Sequence, residues 1–533
     1  MNGLMHWNDQ KYKSEAEIHA EYPQIQAAFQ NGELPPEVIA ELKGILNKLG
    51  NTPLIIRSSS QLEDNFGTSF AGKYESYFCP NQASPEENLN QLTRAICQIY
   101  ASTLKPDALL YRRSKGLQDY DERMAVMIQV AQGERFDDYY FPQAAGVAFS
   151  RNLYRWSPQI KREDGFVRLV WGLGTRAVQR IGDDYPRLVA LSHPTLQPDD
   201  SAEAIRHYSQ QQIDLIDLND NSLKTLPIHE VLVPRYPHLK LITQLEQDGF
   251  FVSPRMRLSE QDIPRLAVTF HEFLRRTDFS KTLSSILQLL EEHYHGSVDL
   301  EFTAQIPDQR SIQPTVNISL LQCRPQSYLT SAESLPNVEM VEKEQVVLAT
   351  QFMVPRGYLN RIRHVIFVSP EGYLSLPTEN LRLEVGKSIS KLNAVLKPKT
   401  YVCAGPGRWG SLNHDLGVFV SYADIDNAGA LIELAGKGIG PAPEPSLGTH
   451  FFQDLMEARI FPLALSFDHQ SSRFSDEFFY ESENFVDNFL PDLDKQIRNC
   501  IYVIDVAAQR PDHHIELIMD DEKGIAIMFF APD

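Results

Sequence analysis

Strand-length apolar runs alternate with capped amphipathic helices up to about residue 327, and this alternation restricts the fold more than any other feature of the chain. PPEVIAELKGILNKLG (35–50) carries Val38, Ile39, Leu42, Ile45 and Leu46 at helical spacing and stops on Gly50, which predicts a lead-in helix. PLII (53–56) follows as a short strand that delivers Arg57 to a polar loop. In SPEENLNQLTRAICQIY (84–100), Ser84 is an N-cap, Pro85 takes the first helical position and Glu87 completes a capping box, with Leu89, Leu92, Ile96 and Ile99 as the buried stripe. MAVMIQV (124–130), AAGVAFS (144–150) and FVRLVWGLGTRAV (166–178) are strand-like, and a mixed region then reaches FSKTLSSILQLLEEHYHGSVDLEF (279–302). The interleaving predicts an α/β or α+β unit.

SYLTSAESLPNVEMVEKEQ (327–345) lacks periodicity and is rich in serine and acid, which marks a linker. Beyond it, HVIFVS, TYVCAGPGRWGS and LGVFVSY read as strands or strand-loop units, a helix is expected from about His450 to Arg459, and IELIMDDEKGIAIMFF reads as two strands around a turn. The expected organisation is a helical lead-in (1–50), a first mixed domain (51–327), a linker (328–345) and a second mixed α/β domain (346–533).

A net charge of −20 disfavours a broad phosphate-backbone footprint, so nucleic acid is not an expected partner. A nucleotide needs only a few arginines or lysines and stays compatible with an acidic chain. The five cysteines are scattered, with no CxxC pair and no zinc-like spacing, and read as reduced thiols. No stretch approaches the ~18 uninterrupted apolar residues of a membrane span, and the first residues carry no apolar signal core. A cytoplasmic location without membrane contact is expected.

Two stretches carry chemistry. IIRSSSQLEDNFGTSFAGKYESYF (55–78) follows a strand with Arg57, hydroxyls, glycines and Lys73, a composition that suits a phosphate and equally suits a polar surface loop. In SVDLEF, Val298, Leu300 and Phe302 alternate with Asp299 and Glu301, so the two carboxylates lie on one strand face about 7 Å apart. VNISLLQCRPQ places Gln322 and Arg324 on one face at the end of the apolar set Val316, Ile318 and Leu320. Two carboxylates, an amide oxygen and an arginine are what a Mg²⁺-nucleotide site needs. On spacing alone, a solvated strand face with an ion pair accounts for the pattern as well.

Taken in order, the 55–78 stretch, MAVMIQV, GVAFS, GLGTRAV, DDYPRLVAL, VDLEF and LLQCRP resemble the nucleotide-binding half of the phosphoenolpyruvate synthase and pyruvate phosphate dikinase family over roughly residues 50–327. The resemblance implies an ATP-grasp-like unit with ATP and Mg²⁺ as ligands. It implies that Arg57 and Arg324 contact phosphates, that Gln129 and Val130 lie where the interlobe strand meets adenine, and that Glu301 and Gln322 ligate metal with Asp299 in support. Lys73 stands where many relatives carry glutamine; as a phosphate ligand it is an inference from its charge. The first fifty residues hold no glycine-lysine motif of the relatives' type, and neither the relatives' phosphohistidine-bearing swiveling domain nor their pyruvate-binding barrel is evident.

In the second domain, GPGRWGS has GxGxxG spacing after a strand, but LNHDLGVFVSY continues as loop and strand, so no helix is expected to receive a pyrophosphate. Arg408 and Trp409 on that loop suit an anionic or planar ligand, or a tight packed turn. Thr449 and His450 open the expected helix, where His450 reads as a phosphoryl relay or as a capping histidine. The expected function is an ATP-dependent phosphotransferase acting on an unidentified small-molecule or protein acceptor. The alternatives are a nucleotide sensor without turnover and one component of an assembly whose partner chain supplies missing elements.

Overall fold

The structure is a computed structural model that describes residues 7–63, 74–114, 116–120, 123–152, 159–178, 184–197, 202–207, 209–254, 258–307, 314–325, 335–352, 354–398, 400–410, 414–436, 439, 451–452, 455 and 460–533. It divides into two compact units, Met1–Gln326 and Ser327–Asp533.

In the first unit, helix Glu15–Gln30 is opened by a Ser14–Glu17 capping box and helix Pro85–Ser102 by the Ser84–Glu87 box. Helices Pro36–Leu49 and Pro85–Ser102 back a three-stranded antiparallel sheet in which Leu54–Ser59 lies between Ser76–Cys79 and Ala125–Val130. Their shared core is Leu42, Leu54, Ile56, Leu92, Ile96 and Ile99. The stripe expected on the lead-in helix is narrower than its spacing suggests. Leu42 is buried and Leu46 packs beside it, but Val38 and Ile45 are each 36% exposed.

A five-stranded antiparallel sheet carries the second half of the unit, in the order Asn317–Pro325, Val298–Gln305, Ala144–Phe149, Phe166–Val170, Arg187–Ala190. One face packs Leu169, Val167, Leu300 and Phe302 against helix Phe279–Tyr294 and the aromatic group Phe141, Trp171 and Tyr236. Two smaller antiparallel sheets, of four and three strands, complete this side.

Gly146 sits at the centre of the five-stranded sheet because the Phe166–Val170 strand approaches too closely for a side chain: a Cβ there would meet the Arg168 carbonyl oxygen at 2.0 Å.

The second unit pairs two five-stranded sheets. His364–Val368, Tyr401–Pro406, Ala430–Ala435 and Phe461–Ser466 run parallel, with Ile501–Asp505 antiparallel on the outer edge. The other sheet is antiparallel and includes the terminal hairpin His513–Asp520 with Ile525–Pro532, the two strands read from the sequence. Both sheets share a core containing Phe367, Val402, Ile432, Leu463, Leu517 and Met528.

LGVFVSY does not form the expected strand. Gly417 makes one isolated bridge to Gly407, and the Tyr373 hydroxyl donates to the Gly417 carbonyl at 2.8 Å. These ties fold the segment back over the sheet, so Val418 and Val420 are buried in irregular chain.

Gly146→Ala is expected to destabilise the first unit by roughly 1–3 kcal/mol, since the clash is with backbone and cannot be relieved by a rotamer change. Hydrogen exchange of the Phe166–Val170 and Val298–Gln305 amides in the full chain measures it, and unchanged protection would refute the close-approach account.

Candidate functional site

The Leu54–Ser59 strand buries Leu54 and Ile56 against its helices, and alternation turns Arg57 to the opposite face, where it is 8% exposed. Met127 lies opposite Arg57 and Gln129 opposite Ile55, so Gln129 shares the arginine's face; Val130, at the strand end opposite Leu54, takes the other face.

On the five-stranded sheet, Val298, Leu300 and Phe302 are buried while Asp299 and Glu301 are half-buried on the other face. The edge strand supplies the partners: Glu301 stands opposite Gln322 and Asp299 opposite Arg324. This register depends on one extra residue. Phe302 faces Leu320 and Glu301 faces Gln322, which leaves Leu321 as a bulge. An unbroken ladder from Phe302–Leu320 would set Gln322 opposite core-facing Leu300. The bulge shifts the alternation by one and brings Gln322 and Arg324 to the carboxylate face. The apolar set Val316, Ile318 and Leu320 is correspondingly incomplete. Val316 is buried and Ile318 packs against the core, but Leu320, at the bulge on the outermost strand, is 49% exposed.

One guanidinium bonds to groups on both strands of the facing sheet. Arg57 Nη2 donates to Glu301 Oε2 and to Gln322 Oε1, each at 2.6 Å. The side chains of Arg57 and Glu301 are 10% and 23% exposed, so the pair is largely shielded from water and from salt. A second contact flanks it. Glu63 accepts from Ser58 Oγ at 2.9 Å and from the Ser60 amide at 3.2 Å, and lies 3.6 Å from Arg324 Nη2. Glu63 is 4% exposed and had no role in the sequence reading, although Ser60-x-x-Glu63 has the capping-box pattern that would have flagged it. Thr303, two residues beyond Glu301, adds a buried hydroxyl without a hydrogen-bond partner to the same face. Behind these groups, burial pushes the Cys323 thiol up to about 11, with the Asp299 carboxylate contributing.

The structure thus brings Arg57, Asp299, Glu301, Gln322 and Arg324 together, with Gln129 on the adjoining sheet. Lys73 and His450 lie outside the described residues; of the helix expected from His450, residues 451, 452 and 455 are described and helical. Two other motif stretches meet in a buried cluster. Arg176 of GLGTRAV pairs with Asp184 of DDYPRLVAL and donates to Asp214 Oδ1 at 3.1 Å, with Thr175 and Thr225 hydroxyls each 2.6 Å from Asp214. Burial raises the Asp184 carboxyl above the ordinary range, against the opposing pull of Gln211 and Arg176.

Mixed helices and sheets make this an α/β unit in which an arginine strand faces a carboxylate, amide and arginine edge. The sequence pattern of the pyruvate phosphate dikinase AMP/ATP-binding domain matches residues 1–345, and the chain belongs to that family. It is also 29% identical over 128 residues to a rifampicin phosphotransferase of Streptomyces sviceus, a match covering 24% of this chain and 13% of that relative's length. No helix of the described residues is long and apolar enough to cross a membrane.

A double-mutant cycle of Arg57→Met and Glu301→Gln, read from denaturant midpoints without nucleotide, is expected to give a coupling of about 1–3 kcal/mol. A coupling near zero would show that the pair does not join the two sheets.

Proposed function

We propose that the first unit binds Mg²⁺-ATP across the Arg57 and Glu301–Gln322 faces and that the chain is an ATP-dependent phosphotransferase. The observation that carries this reading is the shared hydrogen bonding of Arg57 to Glu301 and Gln322, which ties the polar loop after PLII to the VDLEF and LQCRP strands. The donor set suits a hard cation: carboxylates of Glu301 and Asp299 and the amide oxygen of Gln322, all on one face. In this reading Glu301 and Gln322 hold Mg²⁺, with Asp299 in support. A bound Mg²⁺ supplies charge compensation for the phosphate oxygens.

The chain's own groups do the rest by position and charge. Arg57 releases Glu301 and Gln322 and turns its guanidinium to phosphate oxygens, a change of partner that keeps it paired throughout. Arg324, held near Glu63, presents a second fork to the transferring phosphate. Gln129 and the Val130 backbone meet adenine from the adjoining sheet, and Lys73 adds phosphate contact. The Ser327–Asp533 unit binds or presents the acceptor, a small molecule or a protein, in a cytoplasmic reaction.

A second reading is a protein that binds the nucleotide and does not turn it over, or that relies on a partner chain.

Glu301→Ala is expected to weaken Mg²⁺-dependent ATP binding at least tenfold to a hundredfold, roughly the loss that follows disruption of a metal site. Calorimetric titration with and without Mg²⁺ measures it, and an unchanged affinity refutes the metal role. AMP or ADP formation by the wild-type chain alone supports transfer. Tight binding without either product assigns the chain to the second reading.

A further inference from the structure

Arg187 opens the outermost strand of the five-stranded sheet, Arg187–Ala190, and stands opposite Leu169. Its neighbour Leu188 stands opposite Arg168, which pairs with Val147 and, through it, with Glu301. Side-chain alternation therefore puts Arg187 on the Leu169 and Leu300 face, with the sheet between it and the Arg57–Glu301 site.

The residue retains partial solvent access, but its Nε and Nη2 are closed off from water and have no hydrogen-bond partner among the described residues. Nearby charged groups are committed elsewhere. Asp184, three residues upstream, serves Arg176 and the Gln211 amide. Glu272 accepts Arg275 through Nε at 3.1 Å and Nη2 at 2.6 Å, and takes the Ser253 hydroxyl at 2.6 Å. Arg275 thus shows what the same fork does when it has a partner: Nε and Nη2 share one edge of the guanidinium and together fit two oxygens of one anionic group. On Arg187 that edge is empty.

His271 lies beside it. Its Nδ1 is buried without a partner, and burial first, then the charges of Arg187 and Arg275 against the opposing Glu272, holds the imidazole below its ordinary range. Burial pulls Arg187 itself down to about 10. A guanidinium with a water-excluded and unfilled fork is costly unless an anion completes it.

We propose that Arg187, with His271 beside it, binds a small oxyanion on the sheet face opposite the Arg57–Glu301 site. The ligand class is a phosphate or carboxylate group able to present two oxygens to the Nε and Nη2 edge.

The test uses the full chain without nucleotide, titrated at constant ionic strength with inorganic phosphate in one arm and acetate in the other, with chloride as the control. Hydrogen exchange of the Arg187–Ala190 and His271–Arg276 segments and the thermal midpoint are followed together. Added protection in both segments is expected, and the arm that produces it identifies the phosphate or the carboxylate as the recognised group. Arg187→Met is expected to weaken that response roughly tenfold to a hundredfold, the range for loss of one charge-assisted bidentate contact. Without anion, this variant is expected to melt no lower than wild type, since it removes an uncompensated charge. If neither anion protects these segments in the wild-type chain, or if the response survives Arg187→Met undiminished, the proposal is overturned.

Discussion

In the first unit one guanidinium is shared between two sheets. Arg57 Nη2 is shared by Glu301 and Gln322, and the three groups satisfy one another with little water present. Each would be costly alone: an unpaired buried charge or an amide oxygen without a donor loses its hydration and regains nothing. Together they join the Leu54–Ser59 strand to the Val298–Gln305 and Asn317–Pro325 strands through polar contacts. A well-packed hydrophobic seam of similar volume is often as stable as a buried ion pair or more so, so the pairing is not explained by stability alone.

That arrangement rests on a backbone irregularity. Leu321 carries no polar group, yet the extra residue it adds determines which way Gln322 and Arg324 point. The core of the unit needs Phe302 and Leu300 inward, and the site needs Glu301 and Gln322 outward on facing strands. A regular ladder from Phe302–Leu320 onward could not meet both demands with this sequence. The bulge reconciles them on the outermost strand, where a broken hydrogen-bond pattern costs least.

Legibility followed the range of the interaction. The Ser84 capping box, the inward Val298, Leu300 and Phe302, and the terminal hairpin are set by residues within a few positions of one another, and each was readable from the sequence. The family was readable because several such motifs occur in a fixed order, and the match over residues 1–345 bears it out. What was missed depends on distant partners. LGVFVSY alternates like a strand, but Gly407 and Tyr373 tie it into a loop. Val38 and Ile45 repeat like core residues, but they lie outside the cluster that Leu42 enters and stay exposed. Glu63 was the exception, since its serine partners lie within five residues and its local pattern was present but unread.

The two faces of the five-stranded sheet pose opposite electrostatic problems. The Glu301 face gathers acids and resolves them with Arg57 and Arg324, while the other face holds Arg187 with an empty fork. The net charge of −20 does not relieve this. Surface acids are screened by salt over about one Debye length, whereas the loss of hydration at a buried guanidinium is local and is offset only by atoms that touch it. Asp184 and Glu272, the acids named near Arg187, are committed to Arg176 and Arg275, and strand alternation puts Asp299 and Glu301 on the other face of the sheet. A buried cation in an acidic protein can therefore remain uncompensated, and the geometry of its free edge then defines the shape and charge of the group that would complete it.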